Sequence, residues 1–360
     1  MNKIINSKYT LIIPLFIIMI ISLLNMQNAK ALSTLYEHNL IKQIIFFGIG
    51  IILVIIINKI NINTILKYSK YYYYISVLLL VLVLFFGKNI NGSTAWFDFK
   101  LFSFQPSELV KLTLTLYLSN IALVNKPDFK LILKVVIITL IPSILVFLEP
   151  DTGAIIFYFL IAITVLLVAG VKKYWFIILG IIIILLLGTF ILLYIYNQEI
   201  LINLIGTSFF YRVERLITFS TESSYQLENA IIAMGSASIF GSGLNKVSLY
   251  IPEAPTDFIF AFNISNFGII SGIIVILCYL LIDIFLINKY LTVKQKQIKL
   301  VLISFISIFF FQQFINIGMN LGLLPIIGIP LPFLSYGGST IIIYFMFLGI
   351  ILNILNKSVY

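Results

Sequence analysis

The chain is 360 residues long, 61% hydrophobic and only 10% charged, with a mean hydropathy of +1.13. That composition excludes an ordinary soluble domain and describes a polytopic membrane protein with no room for a separate aqueous domain of ordinary size. The formal net charge of +10 does not indicate nucleic-acid binding: the lysines are scattered in loops between apolar runs and form no basic stripe with interleaved aromatics, so they are read as loop charges that orient the spans.

Apolar runs of spanning length fall near residues 10–26, 40–58, 72–88, 106–123, 133–149, 152–170, 174–196, 258–287, 300–320 and 338–356. Roughly 20 apolar residues cross a bilayer, so the pattern predicts an all-α fold of about ten transmembrane helices, one integral membrane domain over residues 1–360. Lys3 and Lys8 ahead of the first run, with Ala29-Lys30-Ala31 behind it, resemble a cleavable signal. The run is long for a signal core and is read as a retained span.

With the N-terminus in the cytoplasm and the spans alternating, 15 of the 23 basic residues fall inside, which is the bias that sets topology. Eleven of the 13 acidic residues fall outside or at the outer rim, Asp128 and Asp283 being the exceptions. Acids do not set topology, so their bias points to chemistry on the outer face. Asp283, late in the eighth span, is expected to pair with a lysine.

The sequence between spans is concentrated outside. Residues 197–257 form one long loop of about 60 residues. Its segments FFYRVERLITF (209–219) and YQLENAIIAMGSASIFGSGL (225–244) are amphipathic rather than spanning, which suits interfacial or re-entrant segments. Shorter outer loops carry NGSTAWFDF (91–99), EPD (149–151) and the stretch 322–339. In the last, Pro325, Pro330 and Pro332 among four glycines exclude a regular helix and require a fixed irregular turn shielded by protein.

Several chemistries are excluded by count. Cys278 is the only cysteine and His38 the only histidine, so there is no intrachain disulfide, no cysteine metal site and no easily built histidine triad. Gly241-Ser242-Gly243 lacks the spacing of a nucleotide-binding phosphate loop, and no nucleotide is expected.

The remaining candidates are few. Asp257, in PEAPTDFIF (252–260), stands where a polar loop meets a span. A carboxylate there is costly unless it has a function, although it or Thr256 would also serve as a helix cap. Glu253 lies beside it. Glu108 and Lys111, three apart at the start of the fourth span, share a helix face as an insertion-compatible ion pair or a charge-steering one. Arg212 and Arg215, the only arginines, are three apart in the long loop and suit a phosphate-bearing substrate, with Glu214 or lipid headgroups as alternative partners. Trp96 is an interfacial anchor or a packing and sugar-stacking residue. Glu149 and Asp151 flank Pro150 in a turn that is structural or binds metal or substrate.

The stretches FSFQPSELVKL (102–112), EPDTG (149–153), NAIIAMGSASIFGSGL (229–244), PEAPTDFIF (252–260) and NIGMNLGLLPIIGIPLPFLSYGGS (316–339) resemble, in order, the SEDS family of bacterial wall growth and division, the RodA, FtsW and SpoVE proteins. RodA is slightly favoured. The resemblance implies a peptidoglycan glycosyltransferase in the bacterial cytoplasmic membrane, polymerising lipid II into nascent glycan at the outer face and working with a class B penicillin-binding protein.

By motif, Asp257 matches the family's essential aspartate, Trp96 its outer-loop tryptophan, Glu108 and Lys111 its Glu and Lys, and Arg212 its loop arginine. A divalent cation, Mg or Mn, is implied at Asp257. The chain departs from the pattern where Pro255 replaces a usual histidine, where Ser265 and Asn266 replace a Glu-Glu pair, and where Ser93-Thr94-Ala95 replaces a basic pair. A lipid II flippase, a non-catalytic scaffold for the penicillin-binding protein and another lipid-linked sugar transferase are the competing functions.

Overall fold

The computed structural model describes residues 9–90, 93–99, 102–206, 210, 225–246 and 249–357. Ten long apolar helices answer to the ten predicted runs. They are α1 (Tyr9–Ala29), α2 (Asn39–Lys59), α4 (Ser69–Phe86), α5 (Pro106–Val124), α6 (Phe129–Leu148), α7 (Thr152–Ala169), α8 (Lys173–Tyr196), α11 (Ile259–Thr292), α12 (Lys296–Asn320) and α13 (Gly338–Lys357). Nine of these are long and apolar enough to cross a bilayer; the apolar stretch of the tenth, Gly153–Ala169 in α7, is slightly short. Short helices α3 (Ile62–Lys67), α9 (Gln198–Ile205) and α10 (Tyr225–Ser236) lie between them.

One feature outside the membrane was not expected from the sequence. The loop between α4 and α5 is a three-stranded antiparallel sheet of β1 (Lys88–Ile90), β2 (Ser93–Asp98) and β3 (Ser103–Phe104), in which Lys88 pairs with Trp96 and Phe97 with Phe104.

Because lipid is as apolar as the side chains, helix association in a membrane relies on close packing and on polar side chains that satisfy backbone groups. Both devices join α2 to α13. A Cβ on Gly50 would come within 2.2 Å of the Phe345 ring, and Asn353 donates to the carbonyls of Ile57 and Ile60, each at 2.6 Å, closing the C-terminal end of α2. α1 is held the same way: Ser22 Oγ donates to Leu334 O at 2.8 Å and Asn25 Nδ2 to Asn263 Oδ1 at 2.9 Å. Its removal would leave those buried acceptors unsatisfied. α8 is different: none of its central stretch is buried, so it presents its surface to lipid.

α11, at 34 residues, contains a break at Gly268 (φ 76°, ψ 178°). The carbonyls freed there are taken by the preceding loop, Ser242 N donating to Ser265 O at 3.1 Å and Gly243 N to Asn266 O at 2.8 Å. Ser265 and Asn266, which stand where the resemblance noted a Glu-Glu pair in the family, are thus buried backbone partners of that loop. Asp283, on the longer half of α11, is buried and accepts from Gln313 Nε2 at 3.3 Å; its partner is an amide rather than the expected lysine.

A side chain at Gly268 would require a left-handed conformation and place its Cβ 2.0 Å from Ile239 O. Gly268→Ala is therefore expected to destabilise the fold by about 3 kcal/mol or more, read as a strongly lowered thermal unfolding midpoint in detergent. Gly180→Ala on α8, where a Cβ meets nothing within 4 Å, is expected to leave it nearly unchanged.

Candidate functional site

A cavity of about 570 Å³ lies at one end of the bundle, at the end that the lysine bias assigns to the outside. Trp96, Glu108, Lys111, Asp151, Glu253 and Asp257 all line it, so six of the eight candidates, far apart in the chain, share one wall. Arg212 and Arg215 lie outside the described residues. Lys42 from α2, Gln312 from α12 and residues 327–330 and 336–340 around the proline-rich turn also line it.

Asp257 is positioned by its backbone. Three successive carbonyls in front of α11 are each taken by a different group. Pro255 O accepts from Tyr336 N at 2.7 Å and Thr256 O from Ser335 Oγ at 2.7 Å. Asp257 O accepts from Asn316 Nδ2 at 2.9 Å and Asn320 Nδ2 at 3.0 Å. Asn316 Nδ2 also reaches Ile329 O at 2.7 Å, which ties the proline-rich turn to the same point.

Asp257 is not the cap of α11. The cap position is Phe258, with no side-chain cap bond, and the first-turn amide of Ala261 is satisfied by Asn320 Oδ1 at 3.0 Å. A neighbouring helix does the capping, and the Asp257 carboxylate is left to the cavity. Gly328 (φ 70°) lets the opposite turn lie against it; a Cβ there would stand 3.3 Å from Asp257 Oδ2. Burial first, and the nearby Glu253 carboxylate second, push Asp257 up to about 7. Glu253 holds its place by accepting from Thr256 Oγ1 at 2.8 Å.

Deeper in the wall, Lys111 Nζ meets Glu108 Oε1 at 2.7 Å with side chains only 2% and 7% exposed, and lies 5.0 Å over the Phe157 ring. The pair is self-neutralising, which makes its burial tolerable. Asp151 is already committed. One oxygen accepts from Gln105 Nε2 at 2.9 Å and Ser107 Oγ at 3.1 Å, and the other caps α7 through Ala154 N at 3.3 Å. Its contribution is to fasten α7 to α5, with the cavity wall as the result. Glu149, fully buried and held by burial and Asp151 up to about 9, stays neutral at pH 7. Trp96 reaches the cavity because β2 alternates its side chains, and the ion pair Lys88–Asp98 at 2.7 Å links β1 to the same strand.

Among the described residues no three His, Cys, Asp or Glu side chains come together as a metal cage. Asp257 and Glu253 are enough for a magnesium-type ion, which takes one or two carboxylates and completes its shell with substrate phosphates and water.

Residues 4–360 match the profile of the FtsW, RodA and SpoVE cell cycle proteins. The chain belongs to this family. It is 34% identical over 340 residues to a probable peptidoglycan glycosyltransferase FtsW of Coxiella burnetii, covering 89% of this chain and 87% of that one. It is 32% identical over 330 residues to a protein of the same name from Wigglesworthia glossinidia brevipalpis, covering 87% and 82%. The crystal structure of the rod shape determining protein RodA from Thermus thermophilus superimposes with a TM-score of 0.71 at 25% identity over 98% of both chains. A chain from a peptidoglycan synthase complex, described as coordinating polymerization and crosslinking, gives 0.79 at 24% identity, again over 98% of both.

The sequence reading of this FtsW/RodA/SpoVE protein missed Lys42 and Gln312. Lys42 carries no signal beyond its type. Gln312 does: with Asn316 and Asn320 it forms a polar stripe at intervals of four on an apolar span, one face of α12 turned to the site. Because Asn320 satisfies both Asp257 O and Ala261 N, Asn320→Ala is expected to cost about 1–3 kcal/mol. Thermal unfolding of the purified protein in detergent checks this, and an unchanged midpoint would refute the clamp.

Proposed function

We propose that Asp257 is the general base of a lipid II-polymerising reaction at the outer face of the bacterial cytoplasmic membrane, with the N-terminus of the chain in the cytoplasm. The protein is a peptidoglycan glycosyltransferase of cell-wall synthesis, as its curated relatives are named. The observation that carries the mechanism is a carboxylate freed from helix capping and facing a cavity that holds a buried ion pair and a tryptophan, with burial raising its pKa toward the range of a base at neutral pH.

In the proposed step, Asp257 accepts the proton of the acceptor sugar's 4-hydroxyl. That oxygen forms a bond to the anomeric carbon of the lipid-linked chain from the face opposite the leaving group, with inversion. The bond from that carbon to the pyrophosphate oxygen breaks, and the electron pair leaves with the pyrophosphate. Lys42, in the same wall and without an ion-pair partner among the described residues, is suited to the leaving charge, as are Arg212 and Arg215. Trp96 supplies a flat face for a sugar. A divalent cation, Mg or Mn, held by Asp257 and Glu253 would neutralise pyrophosphate charge.

The crowding of ionisable groups at one end of the bundle favours this reading over a flippase, which would place them near the middle of the spans. A class B penicillin-binding protein is the proposed partner, in line with the structural neighbour whose complex couples polymerization to crosslinking.

Polymerisation of labelled lipid II by the purified protein with its partner tests the proposal. Wild type is expected to make glycan chains, and Asp257→Asn to lose at least about 100-fold in turnover while remaining folded; equal activity of the two would refute the role. A base works deprotonated, so kcat/KM is expected to rise with pH through about 7 and to lie about tenfold below its plateau one unit lower. In Glu253→Gln the smaller of the two causes of the raised pKa is gone, and the acid limb is expected to move to lower pH.

A further inference from the structure

The cavity wall holds more hydrogen-bonding capacity than the protein uses. Gln312 is fully buried on α12 and lines the cavity, yet neither its amide nitrogen nor its amide oxygen has a partner among the described residues. Across from it on α5, which packs against α12, Glu108 gives Oε1 to Lys111 and leaves Oε2 without one. Other buried side chains also keep unmet atoms, Gln43 Oε1 and both Glu149 oxygens among them, but those residues lie outside the cavity lining, whereas Gln312 and Glu108 belong to it. Buried polar side chains nearly always find partners, and leaving them unmet is costlier away from water. Three unmet atoms in the wall of one cavity mark a place where a ligand supplies the partners.

The chemistry of that ligand can be narrowed. A carboxamide presents a donor and an acceptor side by side, and its natural complement is another amide. Lys111, the cation one helical turn from Glu108, is already neutralised by it, so this pair offers little to a phosphate, whereas a neutral polar group meets no charge penalty beside it. The Phe157 ring, also in the lining, offers an apolar surface to a methyl group.

We propose that Gln312 recognises a secondary amide of the substrate, with Glu108 Oε2 as a second acceptor and Phe157 against the methyl, and so sets specificity for N-acetylated sugars. This rests on the reading of the substrate as lipid II, which carries amides both in its sugar acetamido groups and in its peptide stem; the acetamido group is the one with a methyl to place.

The test compares wild type with Gln312→Leu, reconstituted with lipid II, lipid II lacking the sugar N-acetyl groups, and lipid II with a truncated stem, reading binding affinity beside polymerisation. Gln312→Leu removes two unpaired buried polar atoms, so it is expected to be at least as thermally stable as wild type. It is expected to bind ordinary lipid II about 10- to 100-fold more weakly. Wild type is expected to lose a similar factor on the de-N-acetylated substrate, with little further loss in the variant, and stem truncation is expected to weaken both proteins equally.

Equal binding of ordinary lipid II by the two proteins would overturn the proposal. So would losses that multiply on the de-N-acetylated substrate, or a variant whose loss disappears only when the stem is truncated. Affinity lost in Gln312→Leu while wild type binds but makes no polymer would sink the proposed reaction and leave the amide subsite standing.

Discussion

An irregular stretch of backbone inside a membrane protein persists only where every carbonyl and amide in it is satisfied by protein, because hydrocarbon offers no alternative. Here that constraint is met by the amides of Asn316 and Asn320 on Asp257 O and Ala261 N. Through them α12 fixes the entry to α11, and through Ile329 O it fixes the proline-rich turn that forms the opposite side of the cavity. The catalytic proposal depends on this arrangement. An aspartate that had to cap its own helix would have its oxygens engaged by backbone amides and its pKa lowered; relieved of that duty and desolvated, it is held up to about 7 instead.

The same economy recurs around the site. Asp151 fastens α7 to α5 through Gln105 and Ser107, and Asn353 closes the end of α2. The break in α11 at Gly268 is filled by the backbone of residues 242 and 243. Each non-helical element is anchored by a polar side chain or backbone group reaching from another segment. That rigidity suits a reaction whose acceptor oxygen, base and leaving group must be held in line. Among the buried polar atoms left without a partner in the described residues, those of Gln312 and Glu108 are the ones in the cavity lining.

Charge in the cavity lining is of two kinds. Glu108 and Lys111 neutralise each other, whereas Asp257, Glu253 and Lys42 have no ion-pair partner among the described residues. The paired charges are tolerable in a buried wall, and the unpaired ones leave the lining with groups that can act on a ligand.

Helix number was legible in the sequence because it follows from a local quantity, run length against bilayer thickness, and the acids and lysine-rich loops drew attention to the residues that line the cavity. The motif order around Asp257, Trp96, Glu108 and Lys111 was equally local. Tertiary structure alone decided that Asp257 is not a cap, that Asp151 accepts from Gln105, Ser107 and Ala154, that Asp283 pairs with Gln313, and that Gln312 lines the cavity. The reason is the same in each case. A polar side chain's role is set by which donors and acceptors remain unmet after helices distant in sequence have packed, and in a membrane those partners are supplied across helices rather than by water.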